Sequence, residues 1–600
     1  MKKGNLANWV DINGCKNLLF FAQLADELLD CYSIPSNRIS TLNCHYLCED
    51  AMDVISGVDA QHAPEGNMKP IMEELYSSLK RDIIFELEDL APEKYFVKSK
   101  DGTYSAITNT AALSYFEEKK IVRALEQRYF SNNGYYYALK HWISRLITEN
   151  KEEYWGKLFG LTRSLLTELV DGGYSEIYIY ELVQRFFFSE DHTITSPEII
   201  DSFFDHFDFK EKEYSVICIS EGFEGFRMIE GSPIQVGDSI APRSENPEEV
   251  DFLNRRTEKE KTMVLKCKAF DPYRASEYAK DTLARGTAIL RMYKHDLRID
   301  LESIRVGVYD AENKFIRISK RIGSVQRIKQ LSKEQIEDHM SDAVIALHNF
   351  LDKNQYHEYT ALRNAIMFHS ISLDSIEEKN QLLDLWAIFE TVLDIRNEQN
   401  TGNRIIQICN YLVPVLKRKY IYSLFSQLAM DIKNYSNTEY NRIIGDETKH
   451  FEIVRRICEF VLLDEKQDER QRFMTDCSDF PLLIERIQYY NRMLSNPSNI
   501  YSFVDKHAER VRWQIMRIYR NRNLIIHNGQ STPYLKLLVE NLHSYVDDFL
   551  NYTFKCLAKG HNLESMFQDL YAKECDWKHC FERDKKTKVN PQLIETMLRQ

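Results

Sequence analysis

Apolar residues recur at intervals of three and four positions through most of the N-terminal third of the chain. Residues 68–90 show this spacing, and so do residues 115–147 and 155–187. Such spacing places the apolar side chains on one face of a helix and the polar ones on the other. We therefore predict a helical N-terminal region over residues 1–205.

The pattern changes near residue 210, where the apolar runs become short. Between these runs, residues 271–293 have helical spacing with Pro272 in the first turn. Residues 231–250 are rich in Gly, Pro, Ser and Asn, which predicts a long loop and a candidate contact surface. We predict a small α/β module over residues 206–330, without a Gly-rich phosphate loop. Its predicted strands are residues 213–220, 262–270, 304–310 and 314–320.

Helical spacing returns at residues 333–351 and continues to about residue 558. It predicts an all-α helical bundle over residues 335–560, followed by a charged C-terminal tail over residues 561–600. The whole pattern predicts a mainly α, multi-domain protein. Its parts are an N-terminal helical region, a small central α/β module and a C-terminal helical bundle.

The composition limits the classes of protein to which the chain can belong. Of its 600 residues, 44% are hydrophobic and 12% are aromatic, which argues against disorder. The net charge of −13 argues against a general nucleic-acid coat protein, because phosphate binding depends on cationic surface. A small basic site on an acidic body is compatible with this charge, since the local potential governs steering.

The cysteines and the apolar runs predict the compartment. Twelve cysteines are spread thinly over the chain without a CxxC motif, as is typical of reduced thiols in a cytosolic protein. Residues 44–48 and 575–580 come nearest to metal-ligand spacing, but neither has a second ligand pair. No apolar run reaches the ~20 residues that span a bilayer. We expect a cytoplasmic protein with no membrane contact, no cofactor and no metal site.

The densest group of cations lies in residues 506–529, which have the spacing of one helix ending in an Asn-Gly pair. At about 100° per residue, Arg520 and His527 lie roughly 20° apart around the helix axis, and Asn523 lies about 40° from His527. Arg522 points about 140° away from His527. It must therefore curl back, meet a distorted last turn or act across a dimer.

Two interpretations of this stretch are open. Arginine and histidine near a helix C-terminus complement the helix dipole without any further function. The density of arginines favours a phosphate site, because the planar guanidinium pairs with two oxygens at once. A nearby histidine can move a proton during phosphodiester cleavage. The candidate RNA-binding cations are Arg517, Arg520, Lys417, Arg418 and Lys419.

The same stretch resembles the signature of the HEPN superfamily (higher eukaryotes and prokaryotes nucleotide-binding). That signature is an arginine, a polar residue, a short spacer and a histidine, here Arg522, Asn523 and His527. Residues 361–394 are similar to the first two helices of ApeA-like HEPN domains, in which a Leu-Trp…Glu pattern carries an acidic residue facing the active site. In this chain that residue is Glu390. The resemblance covers about residues 335–560.

The resemblance implies a metal-independent endoribonuclease that cuts single-stranded RNA, often in tRNA loops. The ribose 2′-hydroxyl is the nucleophile, and the products carry a 2′,3′-cyclic phosphate and a 5′-hydroxyl. His527 is the implied acid and base, Arg522 the phosphate ligand and Asn523 an orienting group. Glu390 is expected to hold Arg522 or His527, unless it is an ordinary helix carboxylate satisfied by a surface cation.

The resemblance also implies an assembly and a biological setting. Two HEPN units usually pair so that both motifs line one cleft, which predicts a homodimer or a higher even-numbered oligomer. A role as a regulated toxic effector in phage defence is implied, with residues 1–330 as the part that restrains the nuclease or senses a phage-derived trigger. The alternative is a non-catalytic HEPN scaffold that binds a protein or a nucleotide.

Overall fold

The chain folds into two compact units in the computed structural model. The first unit comprises Met1–Gly4, Asp11–Ser164 and Gly323–Gln600, and the second comprises Asn5–Val10 and Leu165–Ile322. The predicted domain bounds differ from these units, because residues 11–164 are grouped with the C-terminal bundle and not with residues 165–205. The structure describes all residues except 31–41, 62–63, 101–102, 107–112, 222, 224–225, 227–234, 238–239, 296–302, 319–332, 353–355, 376, 394–403, 583 and 600.

The N-terminal part is helical as predicted, but its long periodic stretches are interrupted. Asp82 begins a new helix by accepting a hydrogen bond from the backbone N–H of Ile84, so residues 68–90 are not one helix. Asn132 and Asn133 adopt left-handed backbone, which asparagine tolerates, and so divide residues 115–147. The helices are α1 Lys16–Leu29, α2 Cys44–Asp59, α3 Met68–Leu79, α4 Ile83–Leu87, α5 Tyr115–Leu125, α6 Gly134–Glu149 and α7 Trp155–Asp171, with a hairpin of β1 Val97–Lys100 and β2 Thr103–Ala106.

The second unit contains a five-stranded antiparallel sheet in the order β4-β5-β3-β6-β7. The four predicted strands and the helix after Pro272 are confirmed. Asp271 caps that helix by accepting from the backbone N–H groups of Tyr273 and Arg274. The elements are α8 Glu176–Phe187, α9 Ile200–Phe204, β3 Lys212–Ser220, β4 Gln235–Gly237, α10 Pro247–Asn254, β5 Lys261–Ala269, α11 Pro272–Arg291, β6 Arg305–Tyr309 and β7 Phe315–Arg317.

The prediction of one long loop over residues 231–250 is corrected by two of these elements. Strand β4 pairs with β5, and α10 begins at Pro247 behind the capping residue Asn246. Residues 231–234 and 238–239 lie outside the described part of the chain. The candidate contact surface therefore reduces to the described residues between β4 and α10.

The C-terminal part of the first unit is entirely helical where it is described. The predicted tail over residues 561–600 contains two helices, α23, which buries Met566, Leu570 and Phe581, and the short α24. The helices are α12 Lys333–Asp352, α13 Tyr356–Asp374, α14 Glu378–Val392, α15 Arg404–Lys417, α16 Tyr420–Tyr435, α17 Asn437–Ile444, α18 His450–Leu462, α19 Gln467–Asp476, α20 Pro481–Met493, α21 Pro497–Asn528, α22 Leu535–Ala558, α23 Leu563–Phe581 and α24 Pro591–Leu598.

One hydrophobic core joins α12 to α15 with α21, α22 and α23. Trp386 of α14 and Ile518 of α21 are nearly inaccessible within it. Helices α12 to α15, α21 and α22 correspond to the predicted bundle of residues 335–560, whereas α23 lies beyond it in the predicted tail. Helices α16 to α20 are inserted between α15 and α21. No helix among the described residues is both long and apolar enough to cross a bilayer.

Candidate functional site

The last turns of α21 carry the predicted motif. The helix starts at Pro497 behind the cap Asn496, and it ends at Gly529, whose φ of 66° suits glycine and whose N–H donates to the carbonyl of Ile525. The predicted helix stop is thus confirmed. Because the helix is regular to Asn528, it presents the motif residues at fixed angles and heights.

Arg522 lies between two helices. Its Nη2 donates to Glu390 Oε2 of α14 at 3.2 Å, and its Nη1 donates to Asn523 Oδ1 at 3.1 Å. The Arg522 and Glu390 side chains are 23% and 21% exposed, so the pair is open to solvent on one side. The structure therefore brings three of the four predicted catalytic residues together.

Glu390 also accepts a hydrogen bond from a core residue, Trp386. Its Oε1 accepts a hydrogen bond from the indole N–H of Trp386, at 3.1 Å, one turn earlier on α14. Trp386 is 1% exposed and its ring packs against Tyr519 of α21. The core thus fixes the carboxylate, and the carboxylate directs the Arg522 guanidinium.

His527 stands apart from this group. Its side chain is exposed, and it forms no hydrogen bond or ion pair with the described residues. The regular helix places it about 140° around the axis from Arg522 and about 7.5 Å further along it. A distorted last turn does not resolve this separation, which leaves side-chain movement or a second copy of the chain.

A lysine that sequence analysis missed lies at the same end of α21. Lys379 of α14 donates from Nζ to the carbonyl of Gly529 at 2.8 Å. This cation complements the negative end of the helix dipole and adds positive charge beside the motif. No sequence pattern links Lys379 to Gly529, because 150 residues separate them.

Arg517 does not have the exposure that an RNA-binding residue needs. It is 2% exposed, it forms an ion pair with Glu74 of α3, and its Nη1 donates to Gln514 Oε1 at 2.7 Å. Burial alone lowers the pKa of the Arg517 guanidinium, but the carboxylates of Glu74 and Asp50 outweigh this effect and raise it. Arg517 is therefore a buried structural cation.

Arg520 is engaged in the same way. Its Nη2 lies 2.7 Å from Asp50 Oδ2 of α2, and its side chain is 12% exposed. Tyr534 donates to the other oxygen of Asp50 at 2.9 Å. Burial and the Asp50 charge raise the pKa of the Tyr534 hydroxyl well above its usual value, so it remains a donor. Arg520 and His527 lie at similar angles around the helix axis, but the Arg520 side chain is held by this ion pair whereas that of His527 is exposed.

Lys417, Arg418 and Lys419 do not widen the site around Arg522. Lys417 pairs with Glu574 of α23 and lines a small pocket together with Asp505. The helix rises about 25 Å between residues 505 and 522, which separates these cations from the motif. Arg418 and Lys419 line another cavity, of about 1020 Å³, where the Arg418 guanidinium lies 5.3 Å from the centre of the Tyr552 ring. Contact of these cations with RNA stays a prediction.

Comparisons with known proteins yield no match. No family model, curated protein or solved structure matches the chain. The resemblance to HEPN domains therefore rests on the residues and helices described above.

Proposed function

We propose that the chain is a metal-independent endoribonuclease of the HEPN type that cleaves single-stranded RNA. The observation that carries the proposal is the Arg522–Glu390 contact, because it joins the two separate stretches on which the resemblance rests. A guanidinium held by one carboxylate on one side keeps donors for a phosphate on the other. The helices that carry the two stretches, α13, α14 and α21, pack in one hydrophobic core, which supports the proposal.

The proposed reaction is a transesterification followed by product release. A base removes the proton of the ribose 2′-hydroxyl, whose oxygen attacks phosphorus, and the bond from phosphorus to the 5′-oxygen breaks. His527 exchanges a proton with the reacting oxygens, and Arg522 stabilises the negative charge on the phosphate. The products are a 2′,3′-cyclic phosphate and a 5′-hydroxyl, and no step requires a metal ion.

The angular separation of Arg522 and His527 supports a site made by two copies of the chain. In this proposal each copy's His527 completes the phosphate site around the other copy's Arg522, about a two-fold axis. Mixing Arg522→Ala chains with His527→Ala chains tests this arrangement. Recovered cleavage after the two inactive chains are mixed and allowed to re-associate supports it, and the absence of recovery contradicts it.

Cleavage itself is tested with total RNA in the presence of a chelator. Wild-type protein should cut the RNA, and His527→Ala should not. His579→Ala is a matched control, because His579 is also an exposed histidine in the last turn of a helix, α23. If the wild type and His527→Ala leave RNA equally intact, the second candidate applies, a non-catalytic HEPN scaffold.

In this proposal the N-terminal half of the chain influences the site through its ion pairs with α21. Asp50 and Glu74 hold the helix that carries the motif, so movement of α2 or α3 is a route by which a trigger could change the site. A role in phage defence rests on the resemblance, whereas a cytoplasmic location rests on the cysteine pattern and the short apolar runs. Loss of phage protection in cells that carry His527→Ala would support that role, and unchanged protection would contradict it.

A further inference from the structure

Two histidines and an aspartate meet on the side of the bundle formed by α13 and α22. Nε2 of His369 lies 3.1 Å from Asp547 Oδ1, and Nδ1 of His543 lies 3.8 Å from Asp547 Oδ2. The three residues each offer one ligand atom, and these atoms all lie within 4.8 Å of one another. Among the described residues, no other group of three such side chains meets this condition.

The cluster is open on one side and closed on the other. The His543 side chain is 4% exposed, whereas those of His369 and Asp547 are 24% and 19% exposed. The two imidazole rings are stacked, with centres 5.0 Å apart and planes 30° apart. His543 and Asp547 are one helical turn apart, so α22 presents them together towards His369 of α13.

We propose that His369, His543 and Asp547 bind a divalent transition metal, with zinc as the ion that suits them best. Imidazole nitrogen and carboxylate oxygen are standard zinc ligands, and two histidines with one carboxylate form a common set. Tetrahedral ligands with zinc bonds of about 2.0 Å are roughly 3.3 Å apart. The two histidine–aspartate separations, 3.1 and 3.8 Å, bracket this value, and all three ligand atoms lie within 4.8 Å of one another, so the cluster contracts when it binds the ion.

The fourth coordination position faces the open side of the cluster. A water molecule or an external ligand can occupy it, as in zinc sites with three protein ligands. The sequence shows only the His543–Asp547 pair one helical turn apart, because 178 residues separate His369 from Asp547. The expectation that the chain has no metal site came from cysteine spacing, which is a different ligand class.

A metal here joins α13 to α22 and has no part in the proposed RNA cleavage. None of the three ligands belongs to the group around Arg522 and His527. The other explanation of the cluster is a charged His369–Asp547 pair with the His543 ring packed on it. The two explanations differ in whether the cluster retains an ion, and metal content measures that difference directly.

The experiment measures metal retention by the full-length protein. Wild type, His543→Asn and Asp547→Asn are loaded with zinc, dialysed against a weak chelator and analysed for zinc per chain. The wild type should retain about one zinc, and each variant should bind at least tenfold more weakly, because Asn and the remaining ligands cannot replace the lost donor. Asp547→Asn keeps a hydrogen-bond acceptor for His369, so it separates loss of the metal from loss of the local contact.

Cobalt substitution and one control variant identify the ligands. Cobalt bound by nitrogen and oxygen gives visible bands without thiolate charge transfer, and these bands should vanish in Asp547→Asn. Cys575 and Cys580 are exposed thiols that could bind the same ions, so the Cys575→Ser/Cys580→Ser variant should retain wild-type zinc. A wild type that retains no zinc, or an Asp547→Asn variant that retains as much as wild type, would overturn the proposal. His527→Ala should keep its zinc, which makes this result independent of the proposed nuclease activity.

Discussion

Two neighbouring segments of α21 both carry arginine but have different surroundings. The buried segment, residues 517–520, has its arginines neutralised by Asp50 and Glu74 of the N-terminal helices. The terminal segment, residues 522–527, has one arginine paired with a partly exposed carboxylate and one histidine that faces solvent. Arginine density alone therefore does not define a nucleic-acid surface. The partners on other helices decide which cations stay available.

The largest expected effect distinguishes the two segments by activity. Replacing His527 with Ala should lower RNA cleavage by roughly 10²–10⁴-fold, the usual contribution of an acid–base group. The Arg522→Ala variant should lose cleavage to a similar degree, because the charge on the phosphate then lacks its ligand. Initial rates measured with a labelled single-stranded RNA check both variants. If the cleavage rate of His527→Ala is within twofold of that of His579→Ala, His527 has no special role in cleavage.

The free energy of unfolding should depend more on the ion pairs of the buried segment than on those of the terminal segment. The Glu74→Ala variant leaves Arg517 buried without its main partner, and losing one member of a buried pair costs about 3–5 kcal/mol. The Arg522→Ala variant removes a partly exposed pair, which is worth at most about 1 kcal/mol. Denaturant unfolding of the full chain measures both changes.

The neighbouring residue provides a control for the stability experiment. Glu73 is exposed on the same helix, so Glu73→Ala should change the free energy of unfolding by less than about 0.5 kcal/mol. Equal destabilisation by Glu73→Ala and Glu74→Ala would mean that the buried ion pair does not hold α21. A fragment beginning at residue 330 lacks Asp50 and Glu74, and we expect it to unfold at lower denaturant concentration than the full chain.

A smaller effect is expected from the carboxylate that directs Arg522. In Glu390→Gln the amide oxygen can still accept from Trp386, but the charge that orients the guanidinium is lost. We expect cleavage to fall about tenfold, since a hydrogen bond to a charged group contributes about 1.5 kcal/mol. The free energy of unfolding should stay near the wild-type value. Partial recovery in Glu390→Asp would support a positioning role, whereas unchanged cleavage in Glu390→Gln would contradict it.

The smallest expected effect is a pH dependence in the first half of α21. The ring of His507 stacks on Tyr420 with centres 3.6 Å apart, and burial, followed by the charge of Arg510, lowers the His507 pKa from 6.5 to about 3. The unfolded chain binds a proton at His507 below its ordinary pKa, and the folded chain does not. This contribution to stability is therefore complete above pH 6.5 and declines as the pH falls towards 3.

Substitution by phenylalanine isolates this histidine. His507→Phe keeps an aromatic ring against Tyr420 and removes the titrating group. Unfolding at pH 7.5 and pH 5 should show a smaller loss of stability in the variant than in the wild type, by less than about 2 kcal/mol. Equal losses in the two proteins would show that His507 does not contribute.

Local patterns in the sequence predict the helices well but cannot supply their partners. The end of α21 was predictable because its apolar period and the Asn528-Gly529 pair are local signals. The burial of Arg517 was not, because its partner Glu74 is 443 residues away. The break after α3 was also missed, since the periodic pattern continues through Asp82 although that residue caps a new helix.

The site was predictable to the same extent. A local motif and a recognisable helix pair indicated Arg522, Asn523, His527 and Glu390, and the first, second and fourth of these meet in the structure. Lys379 and Trp386 gave no sequence signal of their contacts with Gly529 and Glu390. The sequence could not show that Lys417 lies near Asp505, in the first half of the 32-residue helix α21. The motif lies at the opposite end of that helix.

We propose that the terminal segment of α21 cleaves RNA through His527 and Arg522. The most direct measurement identifies the product ends after single-stranded RNA is incubated with the full chain in a chelator. We expect fragments with 2′,3′-cyclic phosphate and 5′-hydroxyl ends from the wild type and from His579→Ala, and none from His527→Ala. Fragments with 5′-phosphate ends, or the same cyclic-phosphate fragments from His527→Ala, would contradict it.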